Sequence, residues 1–126
     1  MAVQKQDGLH TDIGVSGADL RGKEMLAVKK VNGELVLAGA GDYVEGIVSE
    51  GKPEGYHTSI NTVGNPILRW IAGAAIAEGA LLSSDAQGRA VTGTANVFGR
   101  ARKAVGAAGE VVECIPGRID DAVDNT

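Results

Sequence analysis

The sequence is poor in aromatic residues and cysteine, and it carries no excess of basic residues. Aromatic side chains make up only 3% of the 126 residues, so a core has to be built from Val, Ile, Leu and Ala. Cys114 is the single cysteine, which excludes an intrachain disulfide and a cysteine zinc site. The net charge is −4, from 12 basic and 16 acidic residues. This balance argues against a general nucleic-acid-binding protein, which normally presents a basic face.

Long apolar segments are also missing. The most apolar run, residues 67–82, includes Arg69 and Glu78, so it is too short and too charged to span a bilayer. Residues 1–12 are polar and contain no apolar core of a signal peptide. We therefore expect a protein that is made in a cytoplasm and does not associate with a membrane.

The sequence does contain many glycines, 19 in all, and a series of short apolar runs. Glycine penalises long helices and favours turns. The runs are mostly flanked by Gly, Pro, Asn or Asp and recur about every ten residues, which predicts the strands of a sandwich or barrel. The ten predicted strands are 13–15, 25–28, 35–37, 43–49, 56–60, 67–71, 80–83, 89–91, 97–104 and 110–115.

These patterns predict one all-β domain over residues 11–116, a small Gly-rich barrel or sandwich. Residues 1–10 are predicted to form an N-terminal arm and residues 117–126 a C-terminal tail. Helix is limited to at most one short turn near 74–78, closed by Gly79. Asn32-Gly33 and Gln87-Gly88 predict hairpin turns, because glycine accepts the positive φ that such turns need.

A weak internal repeat divides the domain into two similar β units. Residues 26–36 align with 81–91, so that Gly33 falls on Gly88 at an offset of 55 residues. Further along, Gly46 aligns with Gly99 at 53, a drift that loops can absorb. Chance glycine matches are the alternative explanation in a chain so rich in this residue. Two units are too few for a solenoid, so a duplication would give one closed barrel or sandwich.

Two glycine-rich segments approach nucleotide-binding motifs without completing them. Residues 17–24 (GADLRGKE) nearly fit the phosphate-binding loop GxxxxGK[ST], but Glu24 stands where a hydroxyl is needed for magnesium. Residues 39–44 begin like a dinucleotide fingerprint, but Val44 replaces the third glycine. We interpret both as surface loops, and the first as the likeliest site if the chain were an enzyme.

No set of side chains is arranged for catalysis or metal binding. His10, Asp12 and His57 are the one combination that a metal site or proton relay would use, and nothing in the sequence brings them together. Cys114 lies in the middle of a predicted strand and is interpreted as a small buried hydrophobe rather than a reactive thiol. The sequence therefore favours a binding or structural protein without a cofactor over an enzyme.

Three side chains have both a structural and a functional interpretation. Trp70 is either a core residue or the anchor of a subunit interface, where tryptophan is enriched. Arg100 and Arg102 lie two apart on a predicted strand and so face the same side. They form either an ordinary solvated face or a patch for an acidic protein partner.

The spacing of glycines and apolar residues over roughly residues 25–116 resembles that of the tailed-phage capsid decoration, or cement, proteins. The resemblance is carried by GELV at 33–36, VEGIV at 44–48, IAGAAIAEGALL at 71–82, SSDAQGRAV at 83–91, FGRA at 98–101 and GEVVECI at 109–115. One departure is Cys114, which stands where the family pattern has its last valine. That exchange is conservative at a buried site.

The resemblance implies a virion structural protein on the exterior of the phage head, which stabilises the shell by bridging subunits of the major capsid protein. It also implies a homotrimer without a cofactor or nucleic-acid partner. Capsid contacts are then expected from Val3, Lys5 and Leu9 in the arm, and subunit contacts from Tyr43, Tyr56 and Trp70. The alternatives are another phage structural β module, of the tail or baseplate, and a generic binding domain, neither of them enzymatic.

Overall fold

The computed structural model describes residues 11–117, which form ten strands and no helix. All strand pairing is antiparallel, in two five-stranded sheets. The strands are β1 (Thr11–Val15), β2 (Ala27–Val31), β3 (Glu34–Leu37), β4 (Gly46–Glu50), β5 (His57–Asn61), β6 (Leu68–Ile71), β7 (Leu81–Ser84), β8 (Ala90–Thr92), β9 (Gly99–Ala101) and β10 (Val111–Pro116). Each predicted strand overlaps one of them, which confirms the all-β prediction.

The two sheets repeat the same strand order. The first sheet runs β1-β5-β4-β2-β3 and the second β6-β10-β9-β7-β8, so each strand of the first unit (β1–β5) has its counterpart five strands later in the second unit (β6–β10). Each sheet also curls, because Ser16 forms a parallel bridge with Leu35 and Ala72 forms one with Ala90. Neither sheet closes into a barrel. The fold is a two-unit, sandwich-like structure, and the predicted pair of similar β units is confirmed.

The pairing registers define which residues correspond between the units. Leu35 of β3 corresponds to Ala90 of β8, which is the offset of 55 found in the sequence, whereas Val28 of β2 corresponds to Leu82 of β7 at an offset of 54. The difference arises because four residues separate the paired Lys30 and Leu35, whereas five separate the corresponding pair Ser84 and Ala90. The offset between the two units therefore changes in the loops and not within the strands, because loops tolerate insertions.

The hairpin turns form where glycine was expected. Asn32 and Gly33 have φ values of 53° and 82°, and Gly88 has a φ of 78°, which are the left-handed conformations that tight hairpins require. The helical turn considered near 74–78 does not form. Instead Ile76 is buried and exchanges two backbone hydrogen bonds with Val105, at 3.0 and 2.9 Å, so tertiary pairing overrides local propensity.

The main core lies between the two units and is built largely from the second. It contains Trp70 and Phe98, whose rings meet edge to face at 5.7 Å and 83°, together with Ala27 and Ile47 from the first sheet. A smaller cluster lies within the first unit and consists of Leu20, Val28, Leu35, Val48 and Ile60. The two units are thus held to one another by a shared apolar interior.

Candidate interaction surface

The outward side of the second sheet presents a continuous surface of aliphatic and arginine side chains. We call it the outer face of the second sheet, and it is defined by Ile67, Arg69, Ile71, Leu81, Arg100, Arg102, Val111, Glu113 and Ile115. Strand alternation places these residues on one side, because the residues between them in β6, β9 and β10 are buried. The side chains of Ile67, Val111 and Ile115 are exposed, at 41%, 41% and 46%.

Cross-strand register arranges this surface in rows. One row crosses four strands, because Arg100 of β9 lies opposite both Ile115 of β10 and Leu81 of β7, and Ile67 continues the row next to β6. A second row sets Arg69 opposite Glu113. Neighbouring side chains on one face of a sheet are close enough to contact the same ligand surface. The rows therefore form one patch that is about four strands wide.

The charge of the outer face is mainly positive. Arg102 pairs with Glu113 at 2.8 Å between Nη1 and Oε1. Arg69 and Arg100 form no ion pair with any other side chain in residues 11–117. An exposed surface pair such as Arg102–Glu113 adds little stability, so the fold does not depend on it. Arg69 and Arg100 remain available to an anionic partner.

The corresponding side of the first sheet is buried where it meets the second unit. By register, Ala27 and Ile47 correspond to Leu81 and Arg100. Ala27 and Ile47 are 0% and 2% exposed and belong to the shared core. The backbone N–H of Ala27 donates to the carbonyl of Gly88 in the second unit at 2.8 Å. The counterpart of the buried Ile47 is thus the exposed Arg100, and that of the buried Ala27 is the partly buried Leu81.

An open cleft of about 440 Å³ lies where the units meet, next to the outer face. Its lining consists of Glu24, Met25, Val48, Ser49, Asn61, Asn65, Ile67, Leu68 and Arg69. The Met25 carbonyl accepts the N–H of Ile71 at 2.9 Å, so the floor of the cleft is tied to β6. The carboxylate of Glu24 is already engaged, since its Oε2 accepts the N–H of Gly51 at 2.9 Å. The cleft marks the boundary between the two units, which we call the seam, and its lining is not an arrangement of reactive groups.

The expected contact residues fall in three different settings. Val3, Lys5 and Leu9 lie outside the residues that the structure describes. Tyr43 and Tyr56 are 52% and 65% exposed, Tyr43 in the connection between β3 and β4 and Tyr56 in the turn before β5. Neither tyrosine belongs to the outer face of the second sheet.

Trp70 requires a correction, because it was expected at a subunit interface as well as in the core. Its side chain is 0% exposed in a single chain, and its Nε1 donates to the carbonyl of Gly88 at 2.9 Å. A ring that is completely enclosed and hydrogen-bonded within its own chain offers no surface to a second subunit. Trp70 is a core residue.

The glycine-rich segment at 17–24 is a surface turn leading towards β2, as interpreted from its sequence. Leu20 turns inward and is 1% exposed. Asp19 and Arg21 form a 2.8 Å ion pair at the surface, and the hydrogen bond from Arg21 lowers the pKa of the Asp19 carboxyl to about 2. The carboxylate is thus a fixed negative charge at neutral pH, which is unfavourable for a phosphate ligand.

The second glycine-rich loop, at 39–44, is closed by its own aspartate. Oδ2 of Asp42 accepts the N–H of Gly39 at 2.8 Å and the ammonium of Lys29 at 2.7 Å. The hydrogen bond from Lys29 lowers the pKa of the Asp42 carboxyl, and the hydrogen bond from the Gly39 N–H lowers it further. The backbone donor that would contact a dinucleotide phosphate is therefore already used inside the loop.

The remaining titratable candidates do not assemble into a site among residues 11–117. No group of three or more His, Cys, Asp or Glu side chains in that range is placed to hold a metal ion. Asp12 and His57 are exposed, in β1 and β5, whereas His10 lies outside the described residues. Cys114 is buried in the core, and desolvation raises the pKa of its thiol to about 12. This agrees with its interpretation as a buried hydrophobe.

The sequence revealed only part of the outer face. Arg100 and Arg102 were recognised from their spacing, while Arg69, Ile67 and Ile115 were not connected with them. Alternation at 67–71 and 111–115 identifies the exposed side of each strand, but β6, β9 and β10 become neighbours only through the strand order. Local pattern identifies a face of one strand, and topology is needed to assemble a patch.

A family described as phage cement protein matches residues 5–116. Among solved structures the chain is similar to the head fiber gp8.5 N base of bacteriophage phi29, with a TM-score of 0.67 and 19% identity over 86% of this chain and 94% of that chain. At this identity the likeness shows a shared fold alone. No curated protein sequence matches the chain. Within the described residues no helix is long and apolar enough to cross a membrane.

Proposed function

The chain belongs to the phage cement protein family, which makes it a capsid-associated decoration protein, and we propose that it clamps the outer surface of the head and bridges neighbouring major capsid protein subunits. The single observation that carries this proposal is the extent of the family match. It covers residues 5–116, and therefore both sheets, the seam between them and the last part of the N-terminal arm.

The architecture supports a structural role for this body. A cement protein has to resist deformation and to adhere, and it needs no reaction centre. The shared core and the backbone hydrogen bonds across the seam fix the two units relative to one another. The outer face of the second sheet supplies exposed apolar area and two arginines, Arg69 and Arg100, that form no ion pair within residues 11–117. The name of the phi29 neighbour includes a head fiber, which also favours a place on the head.

We further propose that the chain acts as a trimer. Repetition of one contact around a symmetric complex multiplies a modest affinity per contact. Tyr43 and Tyr56 are candidates for contacts between subunits, since both rings are exposed and tyrosine is enriched at protein interfaces. The N-terminal arm, with Val3, Lys5 and Leu9, is proposed to order on the shell at an entropic cost. The family match begins at residue 5, within that arm.

The first test is binding of the purified chain to phage heads that lack it. We expect the chain to co-sediment with the heads in many copies per particle and to raise the temperature at which they rupture. A few copies per particle would instead indicate a tail or baseplate component. Absence of binding to bare heads would contradict the proposed function.

Two further measurements address the assembly and the arm. Light scattering should give about three times the 12.8 kDa of one chain, and a monomer that also binds the heads singly would contradict the trimer. Deletion of residues 1–9 should weaken head binding without changing the melting temperature of the chain. Unchanged binding would remove the arm from the proposed interface.

A further inference from the structure

The outer face of the second sheet differs in charge from the rest of the chain. It carries three arginines and one glutamate, a net charge of +2, within a chain whose total is −4. The remainder of the sequence therefore has a net charge of −6. An anionic surface is attracted by this face and repelled by most of the rest of the protein, so electrostatics selects both the partner and the orientation of docking.

The same face has exposed apolar area between its charges. Ile115 and Leu81 flank Arg100 in one row, which Ile67 continues beyond Ile115. Val111 and Ile71 lie in another row, beyond Arg69 and Glu113. Aliphatic side chains beside arginines are typical of surfaces that bury against protein, where area provides stability and charge provides register. A nucleic acid would need a denser array of cations than three arginines and one glutamate supply, and the net charge of the chain opposes it.

The internal repeat gives an independent reason to expect an occupant. The positions of Ala27 and Ile47 in the first sheet are covered by the second unit, and their counterparts Leu81 and Arg100 have no such cover in residues 11–117. The buried Ile47 of the first unit corresponds to Arg100 in the second. An isoleucine suits a permanent apolar contact inside one chain, whereas an arginine suits a polar contact with another protein. The side of the first sheet that contains Ala27 and Ile47 packs against the second unit. The corresponding side of the second sheet is not covered in this way within residues 11–117, and Arg100 on it is exposed.

We propose that the outer face of the second sheet binds an acidic, apolar-rimmed protein surface of the capsid shell, with Arg69 and Arg100 as the charged contacts and Ile67, Val111 and Ile115 as the apolar ones. This inference rests on the proposed function and specifies which side of the protein meets the head. Arg102 remains paired with Glu113 and positions that strand pair beside the contact.

The test uses the full chain and heads lacking it, with charge-reversed and charge-conserving variants. The double variant Arg69→Glu/Arg100→Glu removes no ion pair found in residues 11–117 but sets a like charge opposite Glu113, so we expect it to fold with a slightly lowered melting temperature. Its head binding should fall by about tenfold or more, because like charges then face one another. The variant Arg69→Lys/Arg100→Lys should retain most of the binding. Binding by the wild-type chain should weaken as NaCl rises from about 50 to 500 mM.

A matched control changes the same amount of charge on the first unit. Lys30→Glu/Lys52→Glu disrupts two surface pairs, with Glu45 and Glu50, and should leave head binding within about twofold of the wild-type value. Equal loss in control and test variants would assign the effect to net charge and overturn the proposal. So would undiminished binding of the Arg69→Glu/Arg100→Glu variant.

Two other outcomes would assign the face to a different occupant. If the charge-reversed variant changes its mass by light scattering, the face is an interface between copies of this chain. If the wild-type chain shifts double-stranded DNA at the same ionic strength, the arginines serve a nucleic acid. Either result overturns the proposal while leaving head decoration intact. Failure of the wild-type chain to bind heads is a separate result, which overturns the proposed function and this inference with it.

Discussion

The two units share a strand order, but they fill their interiors in opposite ways. By register, Gly14 of the first unit corresponds to Trp70 of the second, and Leu35 corresponds to Ala90. In the first unit a Cβ on residue 14 would lie 2.8 Å from Cδ1 of Leu35, so the small residue makes room for the large one. In the second unit the large residue, Trp70, lies on β6 and the small one, Ala90, on β8, which is the reverse arrangement. One backbone frame accepts both arrangements, although Trp70 and Ala90 together are larger than Gly14 and Leu35.

The units also differ in buried polarity at corresponding positions. Ser16 and Thr58 are buried in the first unit and their hydroxyl oxygens are 2.7 Å apart. Their counterparts in the second unit are Ala72 and Val112, both 0% exposed. The fold therefore does not require polar atoms at this point. Where the first unit has them, the two hydroxyls are hydrogen-bonded to one another, and Thr58 Oγ1 also accepts the N–H of Lys52.

The largest expected difference between the units comes from truncating the residue that dominates each core. Trp70→Ala should lower the free energy of unfolding by about 3–5 kcal/mol, because it removes the contact with Phe98 and leaves a cavity in the shared core. Leu35→Ala should cost about 2 kcal/mol, since the five-residue cluster around it can collapse more readily. Urea unfolding followed by far-UV circular dichroism measures both.

An equal cost for the two truncations would contradict this ranking. It would mean that the cluster around Leu35 collapses no more readily after truncation than the shared core around Trp70 does. Tryptophan fluorescence reports on Trp70 in the shared core and provides a second probe of unfolding for Leu35→Ala. Coincident transitions by fluorescence and circular dichroism would establish that the unfolding free energies describe a two-state process.

The next largest effect is expected at two corresponding glycines that have no room for a methyl group. A Cβ on Gly99 would lie 2.6 Å from Sγ of Cys114 and overlap the carbonyl oxygen of Ile115, whereas a Cβ on Gly46 would lie 2.7 Å from the carbonyl oxygen of Asn61. Gly99→Ala should cost about 3 kcal/mol and Gly46→Ala somewhat less, since overpacking against backbone displaces a strand.

Gly106→Ala is the control for this pair, because nothing lies within 4 Å of a Cβ at that position. It should change the midpoint of urea unfolding very little, by about 0.5 kcal/mol or less in free energy. A larger cost at Gly46 than at Gly99 would reverse the ranking, and it would show that the first unit is the more tightly packed of the two at this strand.

Some of this architecture was available from the sequence, and the comparison of the units explains why the rest was not. Strand positions and hairpin turns follow from local periodicity and from Asn32-Gly33, so they were predicted. The repeat was visible where glycines are fixed by turns or close contacts, as at Gly46 and Gly99. It was hidden in the cores, because Gly14 corresponds to Trp70 and Leu35 to Ala90, and these exchanges leave no similarity at either position.

The outer face was recognised only in part for a related reason. Arg100 and Arg102 are neighbours in sequence and were paired from spacing alone. Arg69 joins the same patch because β10 inserts between β6 and β9, a long-range pairing that local pattern does not encode. The exposure of Trp70 was also undetermined from sequence, since the apolar segment around it suits a core and an interface equally.

A smaller effect is expected from importing the apolar pair of the second unit into the first. Thr58→Val leaves the hydroxyl of Ser16 without its partner and removes the acceptor of the Lys52 N–H, which lies 2.9 Å from Thr58 Oγ1. It should cost about 1–2 kcal/mol. The double variant Ser16→Ala/Thr58→Val should recover part of that loss, because no buried hydroxyl then remains unpaired.

The double-mutant cycle separates this explanation from simple loss of packing. Additive costs for Ser16→Ala and Thr58→Val would indicate that the two hydroxyls act independently and would contradict the pairing. The difference in free energy of unfolding between the single and double variants is the quantity that decides. Thermal unfolding at pH 7 provides it, with all four proteins measured in the same buffer.

The smallest expected effect concerns a left-handed residue that the two units fill differently. Met25 has a φ of 66°, and its counterpart in the second unit, Gly79, has a φ of 82°; their N–H groups donate to Val48 and Ala101, at 2.9 and 2.8 Å. Gly79→Ala should cost about 1 kcal/mol, since a side chain is strained in this conformation even where space is open. Met25→Gly should change the unfolding free energy by less than about 0.5 kcal/mol, because relief of that strain is offset by the greater freedom of glycine in the unfolded chain. A loss of about 2 kcal/mol or more for Met25→Gly would instead show that the methionine side chain stabilises the seam through its own packing.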